Sequence, residues 1–175
     1  MDYIRLLPDI IFNGGVMRII EANVNDCEDY TKIYMEYCQT QISYMKNGCD
    51  PKEVFKGFDF MARNRVYITS EQTLVLLIKE DDKIMGFLEC QITPKNFFFE
   101  EDHIYVSNLY FKEEIRGFEN SFKLAKELIQ IIEKWAKKNA INYLCSDVLD
   151  GNDISFNLNK LFGFKPYKVR CVKKI

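Results

Sequence analysis

Residues 103–122, HIYVSNLYFKEEIRGFENSF, read as a strand, a tight loop and the start of a helix in one piece. From His103 to Phe111 the residues are β-branched and aromatic with no Gly or Pro, as an interior strand requires. Residues 112–121 form a polar loop whose one glycine is Gly117. From Phe122 the apolar residues recur at helical spacing through Leu124, Ala125, Leu128, Ile129, Ile132, Trp135 and Ala136. A loop that feeds main-chain N–H groups into a helix N-terminus is an anion site. The first-turn amides lack partners there, and the helix dipole favours negative charge. The expected guest carries phosphate.

Upstream of that stretch, Leu74 to Lys79 (LVLLIK) and Ile84 to Thr93 (IMGFLECQIT) predict a hairpin turning at Asp81-Asp82-Lys83 and ending before Pro94. Alternation puts Phe87, Glu89 and Gln91 on one face and Leu88, Cys90 and Ile92 on the other. Glu89 is an acid inside an apolar strand, where an unpaired carboxylate is costly. It is either solvated, salt-bridged, or a base or amine anchor. Farther back, a tyrosine-rich helical stripe (Tyr30, Tyr34, Tyr37, Tyr44) spans residues 26–46, and Asp50-Pro51 predicts a second helix to about Arg63 that buries Phe55, Phe58, Met61 and Ala62. Phe97-Phe98-Phe99 sits in a loop, and His103 is expected at the surface. Downstream come a strand over residues 142–149, a short helix over 152–162 and a closing strand over 166–173.

Composition bounds the rest. The chain has 175 residues, 47% hydrophobic and 14% aromatic, enough for one packed domain. With 24 Lys and Arg against 26 Asp and Glu, no net charge draws it to nucleic acid or an anionic membrane. Six cysteines without paired spacing read as reduced core thiols, and one histidine is too few for a His-based metal cluster. No apolar run reaches membrane-spanning length and no signal pattern opens the chain, so a cytoplasmic location is expected. Residues 1–16 read as an N-terminal extension, an arm, hairpin or disordered terminus. Residues 17–175 read as a single domain.

Two motifs resemble the GNAT superfamily of acyl-CoA-dependent N-acetyltransferases. Asn108-Leu109-Tyr110-Phe111 is similar to the family's D-L-Y-V strand end, and Arg116-Gly117-Phe118-Glu119-Asn120-Ser121 follows at the family's spacing for R-G-x-G-x-G/A. Residues 152–164, NDISFNLNKLFGF, keep the Asn, Leu, Gly and Phe of N-x-x-A-x-x-L-Y-x-K-x-G-F. The resemblance, from about Met17 onward, implies an α/β (α+β) fold: a mixed, mostly antiparallel central sheet with helices on both faces. It also implies an enzyme that moves an acetyl group from acetyl-CoA to an amine acceptor by direct attack in a ternary complex. Leu109 and Phe111 would pair with the pantetheine through their main chains. The amides from Arg116 and Gly117 through Asn120, Ser121 and Phe122 would meet the pyrophosphate, and Asn152 the pantetheine arm. The helices after the first strand form one wall of that family's acceptor groove, so Tyr34, Tyr37 and Tyr44 either face an acceptor or, as aromatics at helical spacing usually do, form a core stripe with hydroxyls at its rim. A homodimer is left open, since dimers are common in that family.

The departures carry chemistry as well. Glu119 replaces a glycine beside the expected phosphates, and Asn159 stands where the family's acidic Tyr would be. Ser107 replaces the carboxylate before the D-L-Y-V segment, leaving Glu89 and Ser107 as the candidates to activate the amine directly or through a water. A second reading of the same residues is a non-catalytic module of this fold that works through protein contacts.

Overall fold

A computed structural model of the protein describes residues 10–12, 15–44, 55–97, 99–149 and 151–167. The predicted helix start at Asp50-Pro51 and almost all of the predicted closing strand lie outside the described residues. Among the described residues, strands of 3 to 11 residues build one six-stranded sheet in which spatial order follows chain order. These are β1 (Ile10–Phe12), β2 (Gly15–Glu21), β3 (Thr73–Glu80), β4 (Lys83–Thr93), β5 (His103–Phe111) and β6 (Tyr143–Ser146). Neighbours pair antiparallel except β5 with β6, which run parallel. The sheet is therefore mixed and mostly antiparallel, as expected.

Among the described residues, four α-helices cover its two faces: α1 (Cys27–Tyr44), α2 (Phe60–Thr69), α3 (Phe118–Lys138) and α4 (Asp153–Leu161). The alternation of β3 and β4 divides the core. Leu74, Leu76, Ile78, Leu88 and Cys90 pack with Leu124, Leu128 and Ile132 of α3 on one face. Val75, Leu77 and Phe87 pack with Tyr30 and Ile33 of α1 on the other. Each fully buried Leu or Ile contributes roughly 1.5–3 kcal/mol, so both layers are held chiefly by these stripes.

Three local expectations are corrected. The described second helix starts at Phe60, where the Asp59 carboxylate accepts from the Ala62 N–H at 2.9 Å. Its inward residues are Asn64, Tyr67 and Ile68, while Phe58 and Met61 are exposed. His103 is buried at the start of β5, its ring stacked on Phe99 with centroids 4.1 Å apart. Finally, α3 begins at Phe118 and not at Phe122. Gly117, at φ 156°, is the break, and Glu119, Asn120 and Ser121 are ordinary first-turn residues.

Candidate active site

A fork in the sheet organises the site. Parallel pairing of β5 with β6 runs from His103 opposite Tyr143 to Val106 opposite Ser146 and stops. β5 nonetheless stays paired with β4 as far as Phe111 opposite Gly86. Lys112 donates its N–H to the Met85 carbonyl at 2.8 Å. Because bonding direction alternates along a strand, the N–H and C=O groups of Leu109 and Phe111 face the opposite way, into the gap. The gap starts at a bulge. Glu89 pairs with Asn108 and Cys90 with Val106, so Ser107 is the extra residue on β5. Its hydroxyl donates to the Glu89 carbonyl at 3.3 Å and pins the bulge to β4.

Below the fork lies the predicted anion loop, shorter than expected. The Ser121 N–H is bonded to the Gly117 carbonyl at 2.8 Å and the Arg116 N–H to the Glu113 carbonyl at 3.1 Å. The amides of Arg116 and Ser121 are thus committed, and Phe122, one helical residue later, lies beyond the unpaired first turn. The amides at 117–120 are the ones whose position leaves them without a helical partner. Glu119 points to solvent and pairs with Lys123 at 2.8 Å, which lowers its carboxyl below the usual range. Arg116 ties the loop to the strand, Nε donating to the Phe111 carbonyl at 2.6 Å with the guanidinium 5.1 Å from the Tyr110 ring. The Phe122 ring stacks on that of Phe162, the C-cap residue of α4, centroids 5.3 Å apart. Its side chain is a packing group.

On the α1/α2 face, beside the fork, Glu89 is fully buried. Arg63 grips it with both terminal nitrogens, Nη2 to Oε2 at 2.8 Å and Nη1 to Oε1. The Tyr30 hydroxyl gives a second donor to Oε1, and Asn108 Nδ2 a second to Oε2. A carboxylate offers about four lone-pair sites, so none is left for a substrate. The Arg63 guanidinium is itself layered between Tyr67 and Tyr34, 3.7 and 4.4 Å from their ring centroids. Burial opposes its charge, but the Glu89 carboxylate outweighs that and holds Arg63 well above its ordinary range. Tyr37 completes the knot by donating to Asn108 Oδ1 at 2.5 Å. Four elements, α1, α2, β4 and β5, thus meet on one buried ion pair, next to the bulge.

The profile of the Acetyltransferase (GNAT) family matches residues 30–164, which span this knot, the fork, the loop and α4. The chain belongs to the GNAT acetyltransferase family. No sequence among the curated proteins matches it. Among solved structures, a tetramutant of the BH1408 protein from Bacillus halodurans is similar with a TM-score of 0.73 at 18% identity, over 90% of this chain and 99% of that one. The aminoglycoside 6'-N-acetyltransferase AAC(6')-Ih from Acinetobacter baumannii follows at 0.66 and 20%, over 91% and 98%. The aminoglycoside N-acetyltransferase AAC(6')-Iy in complex with CoA gives 0.68 and 16%, over 94% and 99%. At such identities the likeness is one of fold.

The other GNAT positions fall around the same fork. Asn152 caps α4, its Oδ1 accepting from the Ser155 N–H at 3.2 Å. Asn159, in the place of the GNAT tyrosine, accepts from the Ser146 hydroxyl at 3.3 Å, where β6 ends. Glu89 and Ser107 adjoin each other, but both are tied to protein partners. Sequence reasoning missed Arg63 and Asn108, the partners of Glu89, and also Tyr105 and Asp147, which are hydrogen-bonded at 3.1 Å across the fork. Only Arg63 carried a signal: the salt-bridged option for a carboxylate inside an apolar strand calls for a cation nearby. A polar cleft of about 550 Å³ lined by Gln72, Glu101, Asp102, Asn139 and Asn142 lies at the opposite end of β5. It belongs to neither the fork nor the loop.

Proposed function

We propose that the protein is an N-acetyltransferase that binds acetyl-CoA in the fork between β5 and β6 and passes the acetyl group to an amine held on the α1/α2 side. The observation that carries this reading is the fork itself: β5 runs on to Phe111 with main-chain groups turned away from β4 after β6 has left it. A pantetheine arm with its two amides is complementary to those groups at Leu109 and Phe111. The amides at 117–120 then receive the pyrophosphate, aided by the α3 dipole. Asn152 lies on the far arm, available to the pantetheine through its Nδ2. Phe111 shares its carbonyl with Arg116, so the arginine stays at the mouth where the phosphates arrive. A CoA complex of a protein with this fold is consistent with a CoA-borne donor. Held against the thioester, the neutral amine attacks its carbonyl carbon while a main-chain N–H takes the developing oxyanion charge; the C–S bond then breaks as the C–N bond is completed, and CoA leaves as its thiol while the nitrogen gives up a proton to solvent.

The acceptor is an amine of a small molecule or peptide. The four described free thiols, Cys27, Cys38, Cys90 and Cys145, accord with a reducing cytoplasm, and among the described residues no helix is long and apolar enough to cross a membrane. Isothermal titration with acetyl-CoA tests the proposal. Saturable binding is expected, in the roughly 1 µM–1 mM range usual for enzyme substrates. Replacing the exposed acid, Glu119→Gly, should tighten it about two- to fivefold at low salt, since a first-turn charge acts over a fraction of a kcal/mol to about 1 kcal/mol. No binding by either protein would instead favour a non-catalytic module, the reading that Asn159 in the tyrosine's place also favours.

A further inference from the structure

If the fork holds a thioester, as proposed above, an acceptor amine needs a negative partner beside it, and the two carboxyl or hydroxyl groups the sequence offers are occupied. Glu89 has a donor on every lone pair, and Ser107 is bonded to the Glu89 carbonyl. Across the gap the situation differs. Ser107 follows Val106 and Asp147 follows Ser146, the last paired residues of β5 and β6, so these two residues begin the two arms of the fork. Asp147 is exposed, and its described hydrogen bond is from the Tyr105 hydroxyl to Oδ2 at 3.1 Å. That contact engages one carboxylate oxygen, and among the described residues no hydrogen bond falls on the other, Oδ1.

The face is the right one. Ile104 and Val106 pack into the α3-side core, so Tyr105 between them projects to the α1/α2 side and carries Asp147 with it. Farther along β5, Asn108 accepts from the Tyr37 hydroxyl at 2.5 Å, so this side of the strand looks toward the tyrosine-rich helix. The negative charge of Asp147 also reaches Cys145, whose thiol is pushed up to about 11, by burial first and by Asp147 second. The acid absent from position 107 on one arm thus has a counterpart one residue past β6 on the other.

We infer that Asp147, oriented by Tyr105, is the group that binds the acceptor amine as its ammonium ion at the apex of the fork. Oδ1 receives an N–H of the ammonium, while Tyr105 keeps the carboxylate turned toward the α1/α2 side. The site therefore selects protonated primary amines over neutral nucleophiles such as alcohols. Tyr105 is a positioning residue in this arrangement. Methylammonium chloride serves as the probe because it carries only the charged group the site should recognise.

Amide chemical shifts of the protein saturated with CoA are followed as methylammonium is added, with methanol as the neutral control. Saturable changes centred on Tyr105 and residues 146–148 are expected with methylammonium and not with methanol. Asp147→Asn should weaken that response about threefold or more, Asp147→Glu should retain part of it, and Tyr105→Phe should fall between. CoA titration of each variant should match the unaltered protein. Changes elsewhere, no change at the fork, or an equal response in Asp147→Asn would overturn the amine site while leaving CoA binding standing. Failure to bind CoA would sink the acetyltransferase reading instead, and the same titration on the CoA-free protein would still decide whether Asp147 takes an ammonium.

Discussion

Glu89 sits where a charge is most expensive and is stabilised only by its partners. Taking a carboxylate and a guanidinium out of water costs several kcal/mol each, and their attraction offsets that cost only with full hydrogen bonding. Here Arg63, Tyr30 and Asn108 supply it, and Tyr67 and Tyr34 enclose the guanidinium. Removing one charge leaves the other buried and unpaired. Glu89→Gln should therefore lower unfolding free energy by about 3–5 kcal/mol, read as the urea midpoint multiplied by its slope. Arg63→Lys should be nearly as damaging despite keeping the charge, because an ammonium has neither the planar fork that meets both oxygens nor a face for the two rings. A loss under 1 kcal/mol for Glu89→Gln would mean that the pair is solvated in solution and that the carboxylate is open to substrate after all.

At the scale of elements, the fork depends on how closely β4 and β5 approach before β6 departs. Gly86 permits that approach: a Cβ there would meet the Tyr110 carbonyl oxygen at 2.7 Å and the rings and methyls of Phe111 and Ile78 at 3.1 Å. The oxygen is main chain and cannot swing aside. Gly86→Ala should cost about 1–3 kcal/mol and move the Leu109–Phe111 segment, so acetyl-CoA affinity should drop along with stability in paired melting and titration measurements. The pieces of this region differed in how readable they were. Strands β3, β4 and β5 were legible because apolar alternation and turn residues mark them. The division of Phe87 and Glu89 from Leu88 and Cys90 was equally plain, since the side-chain period of a strand is fixed. The start of α3 was not, because Glu119, Asn120 and Ser121 look like loop residues until Gly117 is known to take the turn alone. The fork was legible only through the family motifs. The bulge at Ser107 has no Gly or Pro to announce it, and the Glu89 and Asp147 contacts join residues 19 to 59 and 42 positions apart, beyond any local pattern.

For the molecule as a whole, the two cores share a property with a consequence at high pH. Groups that would ionise between about pH 9 and 10 in an unfolded chain are held neutral on both faces of the sheet. Burial pushes Cys38 up from 9.0 to about 11, and Cys145 likewise to about 11. It also raises Tyr34 and Tyr37 on the α1 side, and Cys90 beneath α3. For Tyr30, burial acts first and the Glu89 charge adds to it. Each group has a folded pKa above its unfolded one, so above the unfolded value the native state binds more protons than the unfolded chain. Stability must then fall as pH rises, by up to about 1.4 kcal/mol per pH unit for each such group. Below about pH 8, a unit under the unfolded thiol value of 9.0, these groups are protonated in both states and contribute almost no slope. Urea midpoints measured from pH 7 upward should accordingly hold level, as far as these groups are concerned, and then decline steeply between about pH 9 and 11. Replacing one thiol, Cys38→Ala, removes one group and should make the decline shallower without shifting its onset. Midpoints that stay flat through pH 11 would mean that water reaches these side chains in solution, and the packing of α1 against Phe87 and Tyr110, the proposed acceptor wall, would have to be looser than described.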